Sequence, residues 1–484
     1  MTYTAGSGCM LQSPLQERLY GAVGRFGFRE PDLGRAGVVI GVPHGSAEQA
    51  AVDFAQAVRE ATGAGLVIAY DFKNQRIPVA QPLVHTSLVS WSTANSALSG
   101  SVYPEFRKLL ESTALGQLNF YVGIRLSEDT SPVPRIEVAT SGFSFEQLKT
   151  FKQVYAEIRD RSLNNRDGIA SVDLVLNPLD DISWNSYGLR NHGVLMLAEK
   201  GMVLRLPKML AGTSLKTVYL EIVTRWIQGV LRHSRESSSK FQAVNFERMT
   251  YGRIDTVLAR NAVPGVVIAA PHGSFDWYTA ELVEELSDQT AISAVITRGF
   301  TPTECSGWRI NVNRPTERRY PTDTIERKTD RAGEVYQRFK EVVLRAGGGR
   351  LDTYIEMHQN GSEPNIDVAT LGISREEAIE IKNAYREIRD RVLSESSDLP
   401  KVNLVIEPVD QVAIGAWAAK DHGILRLSKS SFHFELPVQR VFYRKRTRRA
   451  YTEILSELVD RIVKSHRNVI AAKGISSALP SSAD

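Results

Sequence analysis

The chain has only two cysteines, Cys9 and Cys305, in 484 residues. That is too few for a disulfide framework or a thiolate zinc site, so any metal is expected on histidines and carboxylates. No run of 18 or more apolar residues occurs, and the opening Met-Thr-Tyr-Thr-Ala-Gly-Ser-Gly-Cys-Met has no basic stretch leading into an apolar core. A cytoplasmic chain with neither a signal peptide nor a membrane partner is expected. An excess of one charge is missing too: 59 Lys and Arg face 55 Asp and Glu, a formal +4. The densest basic cluster, Arg444-Lys445-Arg446-Thr447-Arg448-Arg449, opens a helical pattern through Tyr451, Ile454, Leu455, Leu458, Val459, Ile462 and Val463. No zinc-finger, RNA-recognition or helix-turn-helix signature accompanies it, so a nucleic-acid contact through this helix is the outlying alternative.

What the chain does have is repetition. Gly-Val-Val-Ile-Gly-Val-Pro-His-Gly-Ser at 37–46 returns at 265–274 as Gly-Val-Val-Ile-Ala-Ala-Pro-His-Gly-Ser, an offset of 272 − 44 = 228. Ile136-Glu-Val-Ala-Thr140 matches Ile366-Asp-Val-Ala-Thr370. Tyr155-Ala-Glu-Ile-Arg-Asp-Arg matches Tyr385-Arg-Glu-Ile-Arg-Asp-Arg, and Asn191-His192-Gly193 matches Asp421-His422-Gly423, all at an offset of 230. A period this long is a domain written twice, not a solenoid, whose units run to about 20–50 residues. The expected division is a first copy over 1–235 that opens with a helical leader of about 35 residues, a linker over 236–262, a second copy over 263–473 and a disordered tail over 474–484. Within the second copy, apolar strands at 265–270, 292–297, 351–357 and 402–406 alternate with helical stretches near 278–286, 324–346 and 374–394. The fold class expected is α/β: two copies of a mainly parallel or mixed sheet flanked by helices, with ligands at the carboxyl ends of the strands.

The chemistry gathers in the second copy. In Ser431-Phe-His-Phe-Glu-Leu-Pro437 the strand period puts Phe432, Phe434 and Leu436 on one side and His433 and Glu435 on the other, which makes Glu435 a candidate general base. His272 follows an apolar strand, Asp276 comes four residues later, and Glu356-Met357-His358 closes another strand. His272, Asp276 and His358 have the ligand types of a catalytic zinc site, with Glu356 placed to orient His358. Asn311-Val-Asn-Arg-Pro315 supplies Arg314, whose fork matches a carboxylate. Singly, each has a structural explanation: a turn histidine, a helix N-cap at Asp276, a solvated edge-strand Glu435 and an exposed Arg314 before a proline.

Taken in order along residues 264–437, Pro-His-Gly-Ser with Asp276-Trp277, then Asn-Arg-Pro, then Glu-Met-His, then Asp367 with Gly372 resembles the N-formylglutamate amidohydrolase family, which belongs with the zinc carboxypeptidases and aspartoacylase-type deacylases. The resemblance implies a zinc-dependent amide hydrolase with a zinc carboxypeptidase-like fold. It implies His272 and His358 as metal histidines, Asp276 as the carboxylate ligand, Asn313 and Arg314 as the grip on a substrate carboxylate, and Glu435, within Phe-Glu-Leu, as the base. The His272–Asp276 spacing departs from the family pattern. Either Arg298 or Arg309 is expected to stabilise the developing oxyanion. The implied substrate is an N-formyl or N-acyl amino acid, or a short peptide, with a free carboxylate; a binding or scaffold protein on the same fold is the competing expectation.

The first copy keeps His44 and has Glu48 where the second has Asp276, but Tyr121-Val-Gly-Ile-Arg125 stands for Tyr354-Ile-Glu-Met-His358 and Leu-Arg205-Leu-Pro for Phe-Glu435-Leu-Pro. Arginine neither accepts a proton nor ligates zinc, so this copy is expected to be catalytically silent.

Overall fold

The computed structural model describes residues 15–21, 24–72, 79–82, 96–127, 134–164, 166, 168–234, 243–259, 261–361, 363–394, 396, 398–442 and 444–472. The expected tail at 474–484 lies outside them. The chain forms two compact units, Met1–Ser237 and Ser238–Asp484.

In the first unit the strands are β1 (Gln16–Tyr20), β2 (Gly24–Arg29), β3 (Val38–Val42), β4 (Gly65–Tyr70), β5 (Phe120–Leu126), β6 (Arg135–Ser141), β7 (Asp173–Asn177) and β8 (Lys200–Leu206). Its helices are α1 (Gln49–Thr62), α2 (Ser96–Thr113), α3 (Phe145–Leu163), α4 (Tyr187–Asn191), α5 (Val194–Leu197) and α6 (Thr213–His233). The second unit has β9 (Ala243–Met249), β10 (Gly252–Leu258), β11 (Val266–Ala270), β12 (Ser293–Gly299), β13 (Trp308–Asn311), β14 (Thr316–Arg319), β15 (Arg327–Lys328), β16 (Thr353–Asn360), β17 (Ile366–Leu371), β18 (Leu404–Ile406) and β19 (Ser430–Pro437). Its helices are α7 (Thr279–Thr290), α8 (Asp330–Ala346), α9 (Arg375–Val392), α10 (Trp417–His422), α11 (Val438–Val441) and α12 (Lys445–Ala472).

Among the described residues each unit holds an eight-stranded mixed sheet with helices on both faces. The orders β1-β2-β4-β3-β5-β8-β6-β7 and β9-β10-β12-β11-β16-β19-β17-β18 are the same topology, as duplication requires. The extra sheet β13-β14-β15 belongs to the second unit. There, one face packs Ile268, Ile355, Phe432, Phe434 and Leu436 against the apolar sides of α7, α9 and α12. The other face packs Val267, Ala269 and Tyr354 against α8 and the α10 region.

Two expectations about the segments preceding each copy are corrected. The leader expected to be helical carries β1 and β2, where Phe26 and Phe28 alternate with Gly and Arg at the strand period. Most of the expected 236–262 linker is the antiparallel pair β9–β10, hydrogen-bonded to β12 at the sheet edge. Its polar sequence is deceptive because Arg253 and Asp255 are buried and ion-paired at 2.8 Å. Among the described residues no helix is long and apolar enough to cross a membrane.

Candidate functional site

On β16 the strand period sends Ile355 and Met357 into the α7/α9/α12 core and turns Tyr354, Glu356 and His358 to the opposite face. β19 lies parallel to it, pairing Glu356 with His433 and His358 with Glu435. The result is a block of four ionisable side chains on two neighbouring strands. β19 is not an edge: it sits between β16 and β17, and all eight of its residues are buried. Asp367 on β17 stands opposite Glu435, and its carboxylate accepts from the Ala413 and Ile414 N–H groups at 2.9 and 3.3 Å.

His272 leaves β11 in a tight turn whose Phe275 and Asp276 N–H groups both donate to its carbonyl, at 2.8 and 2.7 Å. The turn delivers the Asp276 carboxylate to Nδ1 of His358, 3.0 Å away. Asp276 does not cap the helix behind it; Tyr278, with φ +62°, occupies the N-cap position without a side-chain cap. His358 stacks on His433, with ring centroids 4.3 Å apart, and His272 lies 5.1 Å from it on the same measure. Glu356 is enclosed by Asn313 Nδ2 at 3.2 Å, the Tyr354 hydroxyl at 3.1 Å, His433 Nδ1 at 2.5 Å and His358 Nε2 at 3.3 Å. Nε2 of His433 meets Glu435 Oε1 at 3.0 Å.

These placements set the electrostatics. Burial alone disfavours charge on both Glu356 and His358, but each is the other's counter-ion. His358, with Glu356 and Asp276 beside it, is raised to about 10. Glu356, facing His358 and His433, is held far below the usual carboxylate range. His272 goes the other way: burial and then the Arg309 charge push it well below its ordinary value, so it is a neutral imidazole.

Ligating atoms of Glu356, His358 and His433 lie within 4.8 Å of one another, a nitrogen-and-oxygen set of the kind that holds zinc. Their remaining polar atoms are supported in the way metal ligands require: Asp276 on His358 Nδ1, Glu435 on His433 Nε2, and Asn313 and Tyr354 on Glu356. At the site two buried ring nitrogens, His358 Nε2 and His272 Nε2, have no hydrogen-bond partner among the described residues. The structure thus brings His272, Asp276, Glu356, His358 and Glu435 together, as sequence order implied. It also adds His433, whose part depends on the β16–β19 register.

The arginines separate. Arg298, fully buried, is paired with Asp255 at 3.2 Å and Glu284 at 2.5 Å. Arg309 is half-buried with its guanidinium 4.0 Å from the Phe275 ring, and its Nε–H finds no hydrogen-bond acceptor among the described residues. The Arg314 fork is taken by Glu326, Nε to Oε2 at 2.8 Å and Nη2 to Oε1 at 2.5 Å, while Nη1 donates to Asn313 Oδ1 at 3.0 Å. The Asn313 carbonyl is fixed by the Ile424 N–H at 2.9 Å, with Gly423 passing so close that a Cβ there would lie 2.6 Å from the same oxygen. Of the basic cluster, Arg446 pairs with Asp398 at 2.7 Å and Arg448 lies 3.9 Å from the Tyr278 ring.

The first unit can be compared position by position. Val194 donates to the Ala80 carbonyl at 2.9 Å as Ile424 does to Asn313, so Ala80-Gln81-Pro82 stands where the second unit has Asn313-Arg314-Pro315. By strand register, Gly123, Arg125, Val203 and Arg205 replace Glu356, His358, His433 and Glu435. Glu48 accepts from the Leu126 N–H at 2.8 Å.

No protein-family model matches the chain, and no curated protein sequence does. Among solved structures it is similar to a gene product from Agrobacterium tumefaciens, at 11% identity and TM-score 0.29, over 43% of this chain and 94% of that one. It is similar also to a metallo-carboxypeptidase from Burkholderia cenocepacia, at 15% identity and TM-score 0.29, over 51% of this chain and 69% of that one. A bacteriophage poly-gamma-glutamate hydrolase is similar at 10% identity and TM-score 0.26, over 45% of this chain and 93% of that one.

Proposed function

We propose that the second unit is a metal-dependent hydrolase, with zinc the expected ion, that cleaves an amide bond in a small substrate bearing a free carboxylate. The observation that carries this reading is the grouping of Glu356, His358 and His433, each with its outer atoms already satisfied by Asp276, Glu435, Asn313 or Tyr354. A divalent ion on such ligands acidifies a coordinated water and polarises an amide carbonyl. Glu435 is the proton carrier: one oxygen is anchored on His433, and the other makes no hydrogen bond to the described residues. Arg309 is the oxyanion partner in this reading, because the Arg298 guanidinium is consumed by Asp255 and Glu284. Asn313 and Arg314 hold the substrate carboxylate, as the family resemblance implies; the substrate is an N-formyl or N-acyl amino acid or a short peptide.

A second ligand set, His272, Asp276 and His358, is favoured by the unpartnered buried Nε2 of His272 and by the sequence resemblance. The test of the function is metal content of the full chain together with turnover of N-formyl-glutamate, N-acetyl amino acids and dipeptides, before and after chelation. About one zinc per chain and chelator-sensitive turnover are expected. A chain that stays metal-free after dialysis against zinc overturns the proposal.

A further inference from the structure

Arg314 does not present an open fork. Its Nε–Nη2 edge is filled by both oxygens of Glu326, and Glu326 is itself pinned: Thr316 Oγ1 donates to Oε2 at 2.7 Å, and Asn311 Nδ2 donates to that hydroxyl at 3.0 Å. Nη1 of Arg314 holds Asn313 Oδ1, which turns the amide nitrogen of Asn313 onto Glu356. A continuous polar chain therefore runs Glu326, Arg314, Asn313, Glu356, and ends on His433 and His358. A guanidinium has five N–H groups. Three are spent here, leaving one on each Nη, so the edge still available to a ligand is the Nη1–Nη2 end.

Resting on the reading of Asn313 and Arg314 as a carboxylate clamp, we propose that Glu326 is a positioning residue which fixes the Arg314 plane so that its Nη1–Nη2 end, and no other, receives the substrate carboxylate. In the same act it sets the Asn313 amide on Glu356. A detachable latch is the rival geometry, in which Glu326 swings away and the substrate takes its place. The Thr316 and Asn311 bonds oppose that motion, since releasing Glu326 would strand a donor chain in a half-buried site. Position matters because charge-assisted pairing to arginine is directional. A guanidinium free to rotate loses its preference for paired oxygens over a neutral amide.

The test uses the zinc-loaded full chain with glutarate and its neutral analogue glutaramide as probes, measured by calorimetric titration, and zinc content as an independent readout. The parent is expected to favour glutarate by tenfold or more. Glu326→Gln is expected to reduce that preference to within threefold with zinc content unchanged, and in turnover to raise KM for carboxylate substrates at constant kcat. Thr316→Val, which removes one bond to Glu326 and no charge, should give a smaller loss of about threefold and serves if the first variant does not fold. Tighter glutarate binding by Glu326→Gln would establish the latch and overturn positioning, as would an unchanged preference in a zinc-replete variant. A parent that takes up zinc but does not prefer glutarate removes the clamp, and this proposal with it, while leaving the metal centre standing.

Discussion

His358 turns its two ring nitrogens to two different carboxylates, Nδ1 to Asp276 at 3.0 Å and Nε2 to Glu356 at 3.3 Å. An imidazole ligates through one nitrogen while a hydrogen bond on the other fixes its orientation. The two ligand sets therefore use His358 in opposite senses: with Glu356 and His433 the ion takes Nε2, with His272 and Asp276 it takes Nδ1. His358→Ala should lose the metal in either case. His433→Ala is expected to lose it too, and His272→Ala to retain it, by elemental analysis of dialysed protein. The reverse pattern would move the ion to the Nδ1 side.

Glu435→Gln should keep fold and zinc yet lower kcat by about 10²–10⁴-fold, the usual contribution of a general acid–base group. The amide preserves the shape of the side chain and its place against His433 but takes no proton. Turnover within threefold of the parent would assign the proton transfer elsewhere.

The Arg314–Glu326 pair predicts a pH signature. Burial raises the Glu326 pKa, but Arg314 and Thr316 outweigh it and hold the group at about 2 against an ordinary 4.5. A depressed carboxylate stabilises the fold above its unfolded value, and that stability is lost as pH falls from about 4.5 toward 2. Parent and Glu326→Gln melts should therefore differ most near neutrality, by at most about 3 kcal/mol, and converge near pH 2. A gap that stays constant from pH 7 to 2 would contradict the assignment.

Arg298 and Arg309 should fail in different ways. Arg298→Ala removes the buried cation that Asp255 and Glu284 share, leaving Asp255 its pair with Arg253, and breaking a buried pair typically costs about 3–5 kcal/mol. A large fall in Tm is expected, with residual folded protein still binding zinc. Arg309→Ala removes a guanidinium from the Phe275 face, and the expected loss is in kcat with little change in Tm. Equal destabilisation by both changes would place Arg309 in the scaffold.

The duplication, the α/β class and the shared face of His433 and Glu435 were legible in the sequence, because a period of two and a repeated phrase are local properties. Glu435 and His433 could be assigned to one side of a strand from Phe432, Phe434 and Leu436 alone. That His433 faces Glu356 was not legible, since register between strands 77 residues apart is set by the assembled sheet. Glu326 was hidden for the same reason: it approaches Arg314 only through the β14–β15 turn. β9 and β10 lie in the segment expected as a linker, and their strand state depends on pairing with β12 and on the buried Arg253–Asp255 ion pair, neither of which is a local property.

The first unit gives the most demanding test. Restoring the two obvious differences, Arg125→His and Arg205→Glu, should not create a second metal centre. The His433 position would still hold Val203 and the Glu356 position Gly123. A Cβ added at Gly123 would lie 2.9 Å from Val203 Cγ2, so even a Glu there collides unless Val203 is changed as well. Glu48, at the place of Asp276, is committed to the Leu126 N–H, and Ala80-Gln81 offers no clamp. The double variant should therefore bind the same zinc per chain as the parent. Only a version that also carries Gly123→Glu and Val203→His has the ligand types for a second equivalent. A doubled zinc content after the first two substitutions alone would mean that Gly123 and Val203 are not the counterparts of metal ligands, and would count against Glu356 and His433 in the second unit.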